Sequence, residues 1–378
     1  MLDAALRAFV ILLAVTFPVV TVAAQVQSSQ LDGVFASLKS GDAPGAAVVV
    51  VQNGRTVFRG GYGVADLRTK VKITPQTNFR LASCTKQFTA MAIMLLVHEG
   101  KLRYDESLSE VFLEFPAYGK AVTIRNLLNH TSGLKDYEDL LTAQYPNTPD
   151  EKIPQIHDAG VLKLLEQQTG TDFPPGARWR YSNSGYVVLG LVVEKISGEP
   201  FGKFLEERIF SPLDMKQTVM FEKGKNEVVQ RAYGHTRKRG AWRETDQSST
   251  SATLGDGGIY SSVDDLAKWD EALSAHKLLS EKEMREAWTP VGARAGSGEA
   301  MQTGQTGVSY GFGWFLDPYR GHPRMWHYGE TMGFRTTIQR FPEDGLTVIV
   351  LANRADVDAA ALALRVADLY LGKTRPRD

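Results

Sequence analysis

The chain has 378 residues, 43 lysines and arginines against 43 aspartates and glutamates, 43% hydrophobic residues and one cysteine. That length supplies about two domains' worth of chain with ample core, and zero net charge gives none of the basic footprint of a nucleic-acid binder. One cysteine excludes an internal disulfide, and no Cys/His spacing reads as a zinc site.

Met1 to Arg7 carries one Asp and one Arg, Ala8 to Val20 is almost continuously apolar, and Val22-Ala23-Ala24 are small. This reads as a secretory signal over residues 1–24, and it predicts an exported protein, periplasmic or secreted. The rival is an uncleaved anchor, because the apolar run touches the lower length limit of a spanning helix. Pro18 and the small-residue exit favour cleavage. No other stretch is long and apolar enough to span a bilayer, so the mature chain is expected to make no stable membrane insertion.

Ala46 to Val51 is a β-branched run, Asn53-Gly54 follows, and Thr56 to Tyr62 completes a hairpin pattern. The far end repeats it with Thr336 to Phe341, Glu343-Asp344-Gly345 and Leu346 to Leu351, before an Ala/Leu-rich helix from Val357 to Leu371. Between them, Ser83 to Glu99 predicts a helix that is apolar nearly all round from Phe88 to Val97, hence buried. Further helices are expected over Gly185–Ile196, Phe201–Phe210 and Ser262–Ser274, with Ser262-x-x-Asp265 and Ser280-x-x-Glu283 as capping-box-like starts. Lys135–Gly160, Glu222–Thr250 and Val291–Gly307 read as long loops or lids. The fold class expected is α+β. An antiparallel sheet from residues 25–82 and 255–378, flanked by helices, carries an inserted, mostly helical region over 83–254, with a cleft between the two.

Ser83-Cys84-Thr85-Lys86 is a Ser-x-x-Lys motif at the head of the buried helix. Residues three apart share a helical face, so the Lys86 amine can reach the Ser83 hydroxyl, and the helix N-terminus offers backbone amides to a developing oxyanion. Lysine acts as a base only if burial lowers its pKa. The motif alone is cheap: Ser132-Gly133-Leu134-Lys135 and Ser274-Ala275-His276-Lys277 match it without a buried helix following. Tyr181-Ser182-Asn183 adds a phenol able to shuttle a proton and an amide able to hold a substrate carbonyl. Tyr145-Pro146-Asn147 fits the same pattern but sits in a Pro-rich loop. His327-Tyr328-Gly329 follows a strand-like run, where Gly329 would let a substrate backbone approach the strand edge. His98-Glu99-Gly100 matches it too, merely as a helix end.

These motifs together resemble the serine β-lactamase-like superfamily, in the branch of class C β-lactamases, D-aminopeptidases, DD-carboxypeptidases and esterases. The resemblance runs from Pro44-Gly45 to Ala352-Asn353-Arg354 and rests on Phe79 to Lys86, Asn129 to Leu134, Trp179 to Asn183, Gly257 to Ser261 and His327-Tyr328-Gly329, all in the family order. It implies Ser83 as acylated nucleophile, Lys86 as its activator and Tyr181 as proton shuttle. Asn183, His327 and Gly329 would bind substrate, the amides of Ser83 and Glu330 would form the oxyanion hole, and His130 would be a structural residue of its turn. The resemblance implies no metal and no organic cofactor, and a peptide or other small-molecule substrate. Drug-hydrolysing members usually carry lysine–threonine–glycine at the third motif, where this chain has His327-Tyr328-Gly329. His327 is a weaker anchor for a substrate carboxylate and Tyr328 is bulky, so a peptidase or esterase is expected rather than an efficient β-lactamase.

Gly307-Val308-Ser309-Tyr310-Gly311 matches the nucleophile elbow of another hydrolase fold, but no helical signal follows it. Cys84 as a thiol nucleophile is turned away from Ser83 by one helical step. The reading is therefore a serine hydrolase acting through an acyl-enzyme on an amide or ester, whether D-amino-acid peptide, ester or β-lactam. The alternative is a non-catalytic or slow-turnover binder of penicillin or cell-wall peptides on the same scaffold.

Overall fold

A computed structural model of the chain describes residues 28–292 and 308–372. The stretch read as a signal, 1–24, and most of the polar stretch from Val291 to Gly307 lie outside the described residues. Among the described residues no helix is long and apolar enough to cross a membrane.

Among the described residues twelve strands occur in chain order: β1 (Ala46–Gln52), β2 (Arg55–Tyr62), β3 (Phe79–Arg80), β4 (Val219–Met220), β5 (His235–Lys238), β6 (Ala241–Glu244), β7 (Ile259–Ser261), β8 (Ser309–Tyr310), β9 (Phe315–Tyr319), β10 (His322–Thr331), β11 (Phe334–Phe341) and β12 (Leu346–Ala352). The main sheet runs β2-β1-β12-β11-β10-β9-β8 and is antiparallel throughout. Both predicted hairpins are present, and β1 joins them by pairing with β12 from Ala46↔Ala352 to Gln52↔Leu346. A sheet built from the two ends of the chain, with helices on its faces, is the α+β architecture expected.

β1 is buried on both sides because its valines alternate between two cores. Ala47, Val49 and Val51 face the larger core beside the buried helix Lys86–His98. Ala46, Val48 and Val50 face a second core closed by helix Ala359–Ala367 and by Leu31, Val34 and Phe35 near the N-terminal side. Each of these buried valines contributes about 1.5–3 kcal/mol relative to exposure. Helix Val263–Ser274, capped by Ser262 as its sequence predicts, is tied to the sheet by a buried ion pair, Arg340 Nε to Asp270 Oδ1 at 2.6 Å.

A small sheet, β3-β7-β4, lies at the head of the buried helix, and β5-β6 forms a separate hairpin. Two predicted loops are not plain loops. Within Lys135–Gly160 residues Tyr137–Gln144 form a helix capped by Asp136, and within Glu222–Thr250 lies the β5-β6 hairpin. The first is a short helix that buries only Tyr137 and Leu141, too little apolar surface to show as a periodic stripe.

Candidate active site

Ser83 lies in a 3-10 turn, Ala82–Thr85, between β3 and helix Lys86–His98. Backbone contacts clamp that turn from two sides. Leu81 N–H donates to Ile259 O of β7 at 2.8 Å, and Thr336 Oγ1 of β11 donates to Leu81 O at 2.7 Å. Ala82 is held at φ +48°, a conformation costly for a residue with a Cβ and maintained here by those contacts. The turn presents Ser83 to a cleft of about 410 Å³ whose lining includes Tyr181, Asn183, Tyr137, Glu138, Asp256 and Tyr328.

Lys86 is fully buried beneath this cleft. Its Nζ lies 3.1 Å from Ser83 Oγ, 2.8 Å from Asn183 Oδ1 and 3.0 Å from the main-chain oxygen of Asp256, and 4.8 Å above the Tyr181 ring. Burial pulls the Lys86 amine down to about 8, against the opposing charges of Asp256, Glu138 and Asp136. A neutral amine has two N–H donors and one lone pair. Asn183 Oδ1 and Asp256 O can only accept, so the two donors go to them and the lone pair is left for the Ser83 hydroxyl.

Tyr181 hydrogen-bonds Ser83, and burial holds its phenol well above the usual range even so. It is a protonated donor near neutrality, fit to pass a proton rather than to act as a phenolate. The segment carrying it is pinned by His130, which accepts the Ser182 N–H at Nδ1 (3.2 Å), takes the Arg180 N–H on its backbone oxygen and packs on the Tyr181 ring with centroids 4.4 Å apart. Asn183 opens helix Asn183–Ser197, and Asp136 Oδ2 accepts its N–H at 2.6 Å.

The structure thus brings Ser83, Lys86, Tyr181 and Asn183 together, and it treats the third motif differently. His327 is fully buried and stands behind the cleft instead of lining it. Tyr310 Oη is 2.9 Å from its Nε2, and its Nδ1 is 2.7 Å from Tyr328 O. Burial and the nearby Lys86 push it down to about 3, so it is neutral. It is not among the residues that line the cleft. Gly329 also has a reason other than substrate approach: a Cβ there would run into Leu81 O and Thr336 Oγ1, the clamp beneath Ser83. Its neighbours Tyr328 and Glu330 line the cleft. β9 pairs with β10 only over His322–Trp326, so the residues from His327 onward turn an edge toward the cleft.

Cys84 is buried with its thiol pushed up to about 12 by desolvation, a form without nucleophilic character. Ser309 lies in β8 and is followed by strand β9, not by a helix. Sequence reasoning missed Tyr137, Glu138, Asp256 and Arg80 as lining residues. An Asx cap followed by acidic residues, as in Asp136-Tyr137-Glu138-Asp139, is a helix-start signal that would have found the first two. Among the described residues no group of three or more His, Cys, Asp or Glu side chains is placed to hold a metal ion.

Residues 28–371 match the family model described as Beta-lactamase. A penicillin-binding protein of Bacillus subtilis (strain 168) is 31% identical over 322 residues, covering 82% of this chain and 68% of the relative. A D-aminopeptidase of Brucella anthropi is 27% identical over 339 residues, covering 87% of this chain and 59% of the relative. Among solved structures, a D-amino acid amidase from Ochrobactrum anthropi SV3 superposes with a TM-score of 0.74 at 25% identity, covering 91% of this chain and 98% of that one.

Proposed function

The chain belongs to the beta-lactamase family, and we propose that within it the chain is an exported serine hydrolase that cleaves amides or esters through an acyl-enzyme on Ser83. The observation that carries this reading is the 3.1 Å approach of a fully buried Lys86 Nζ to Ser83 Oγ. In this mechanism neutral Lys86 takes the Ser83 proton as Oγ attacks the substrate carbonyl carbon. The amides of Ser83 and Glu330 hold the resulting oxyanion. The proton then passes by way of Tyr181 to the leaving amine or alcohol, the carbon–heteroatom bond breaks, and the acyl group stays on Ser83. Water, deprotonated along the same Tyr181–Lys86 route, attacks the ester and frees the acid. Asn183 orients the substrate carbonyl, and His327 and Gly329 act as positioning residues for the strand and turn around Ser83.

The catalytic cleft lies between the sheet region, 25–82 and 255–378, and the helical region, 83–254. The D-aminopeptidase and D-amino acid amidase relatives favour D-aminoacyl amides as the substrate class, and export rests on the signal pattern of residues 1–24. Turnover of p-nitrophenyl acetate, D-alanine p-nitroanilide and a chromogenic cephalosporin tests the proposal. Steady turnover of the ester or anilide, lowered about 10³-fold or more by Ser83→Ala, is expected. Stoichiometric acylation that then stops would favour the slow-turnover penicillin binder, and no reaction would overturn the hydrolase reading.

A further inference from the structure

We propose that the cavity behind segment 250–257 is a second binding site, which takes a small organic cation with an apolar body, an amidinium or guanidinium, against Asp158 and Glu194. The site is separate from the catalytic cleft and stands whether or not the hydrolase reading does.

Segment 250–257 stands between two cavities of nearly equal size. Thr250, Thr253, Asp256 and Gly257 line the cleft that holds Ser83, about 410 Å³. Ser251, Ala252 and Leu254 line the other, about 430 Å³, and no residue lines both. Leu191, Phe221 and Leu254 give the second cavity an apolar side, and Asp158 and Glu194 are its carboxylates beside the exposed Glu222–Lys225 pair. A cavity of this size, with an apolar wall and a few converging polar groups, is the usual form of a small-molecule site.

Asp158 points to a ligand independently of the shape. It opens helix Asp158–Glu166 and is only 9% exposed, yet it lines this cavity. Its carboxyl accepts the Leu254 N–H on Oδ1 at 3.2 Å and its own N–H, and no other described residue donates to it. A carboxylate nine-tenths out of water and short of donors costs free energy. Burial, with the negative charges of Asp256 and Glu194, pushes it up to about 7. Glu194 comes from helix Asn183–Ser197, with Oε1 accepting the Phe201 N–H at 2.9 Å. The cations of the lining do not answer this need: Lys225 is paired with Glu222 at 2.5 Å, and Lys223 and His157 are exposed. An amidinium supplies a positive charge and a planar fork of N–H donors to Asp158, while its apolar body meets Phe221, Leu191 and Leu254.

Calorimetric titration with benzamidine at about pH 8, where Asp158 is ionised, tests the site. Saturable binding of benzamidinium to the intact protein is expected, with benzamide, its neutral isostere, about tenfold or more weaker. Asp158→Asn should weaken benzamidinium by a similar factor. Ala159→Lys, at an exposed position of the same lining, tethers an ammonium in the cavity and should weaken it too. Glu138→Gln, which alters the catalytic cleft, should leave the affinity unchanged. No saturable binding to the intact protein, equal binding of benzamide, an affinity kept in Asp158→Asn or Ala159→Lys, or one lost in Glu138→Gln overturns the second site.

Discussion

The main-chain oxygen of Asp256 accepts a hydrogen bond from Lys86 Nζ at 3.0 Å, and the carboxylate of the same residue is the largest of the charges that oppose the lowering of the Lys86 pKa. One residue thus aims the amine and moderates its basicity. With Asn183 Oδ1 as the second acceptor, the only direction left for a lone pair is toward Ser83.

The charge state of Lys86 gives the first prediction. Its amine sits at about 8 in the folded protein, below the ordinary lysine value, so the active neutral form gains population as pH rises through that value. The kcat/KM for a neutral ester should climb between pH 7 and 9 and level off above. Lys86→Arg, which cannot lose its proton, should lower the plateau about 10³-fold or more. A profile flat across this range would contradict the assignment of Lys86 as base.

Replacing Asp256 should move that limb. Asp256→Asn keeps the backbone acceptor and removes the negative charge that favours protonated Lys86, so the Lys86 pKa falls further. The acidic limb of the ester profile should shift to lower pH, by about one unit for a charge at this range. An upward shift, or none, would show that the carboxylate is not felt at Lys86.

His327 should be silent. Held neutral down to about 3, it predicts no inflection in the rate profile near 6.5 and no imidazole titrating there at this position by NMR. A His327 resonance that titrates between pH 6 and 7 would contradict its placement behind the cleft.

Asp158 makes a prediction about stability. It opens helix Asp158–Glu166, accepts the Leu254 N–H at 3.2 Å, and is pushed up to about 7 chiefly by burial. Between about 4 and 7 the folded state therefore holds a proton that the unfolded chain has lost. Stability falls as pH rises through that window. Asp158→Asn keeps an acceptor for Leu254 and removes the titration. It should be more stable than the parent at pH 8 by on the order of 1–3 kcal/mol, with the advantage fading toward pH 4. Thermal unfolding of both proteins across this range checks it; a constant difference would contradict the account.

The parts of the fold that were legible depend on local signals. Asn53-Gly54 and Glu343-Asp344-Gly345 each close a hairpin within a few residues, and the run after Lys86 is apolar on every face because the helix is buried on every face. The meeting of Ser83 with Lys86 is likewise a matter of three residues on one helical turn. What was not legible is set by contacts distant in sequence. His327 looks like a cleft residue until Tyr310 covers its Nε2. Asp256 looks like a charge in a glycine-rich turn until Tyr137, 119 positions earlier, reaches its carboxylate. Gly329 is required by the backbone of Leu81, which no strand pattern reveals.

The central claim is that Ser83 is the residue acylated and that Lys86 activates it. Labelling the protein with a fluorophosphonate and mapping the modified peptide tests this most directly. The account predicts one adduct, on Ser83, abolished in Lys86→Ala. An adduct on Ser309, or a protein that takes no label, would contradict it.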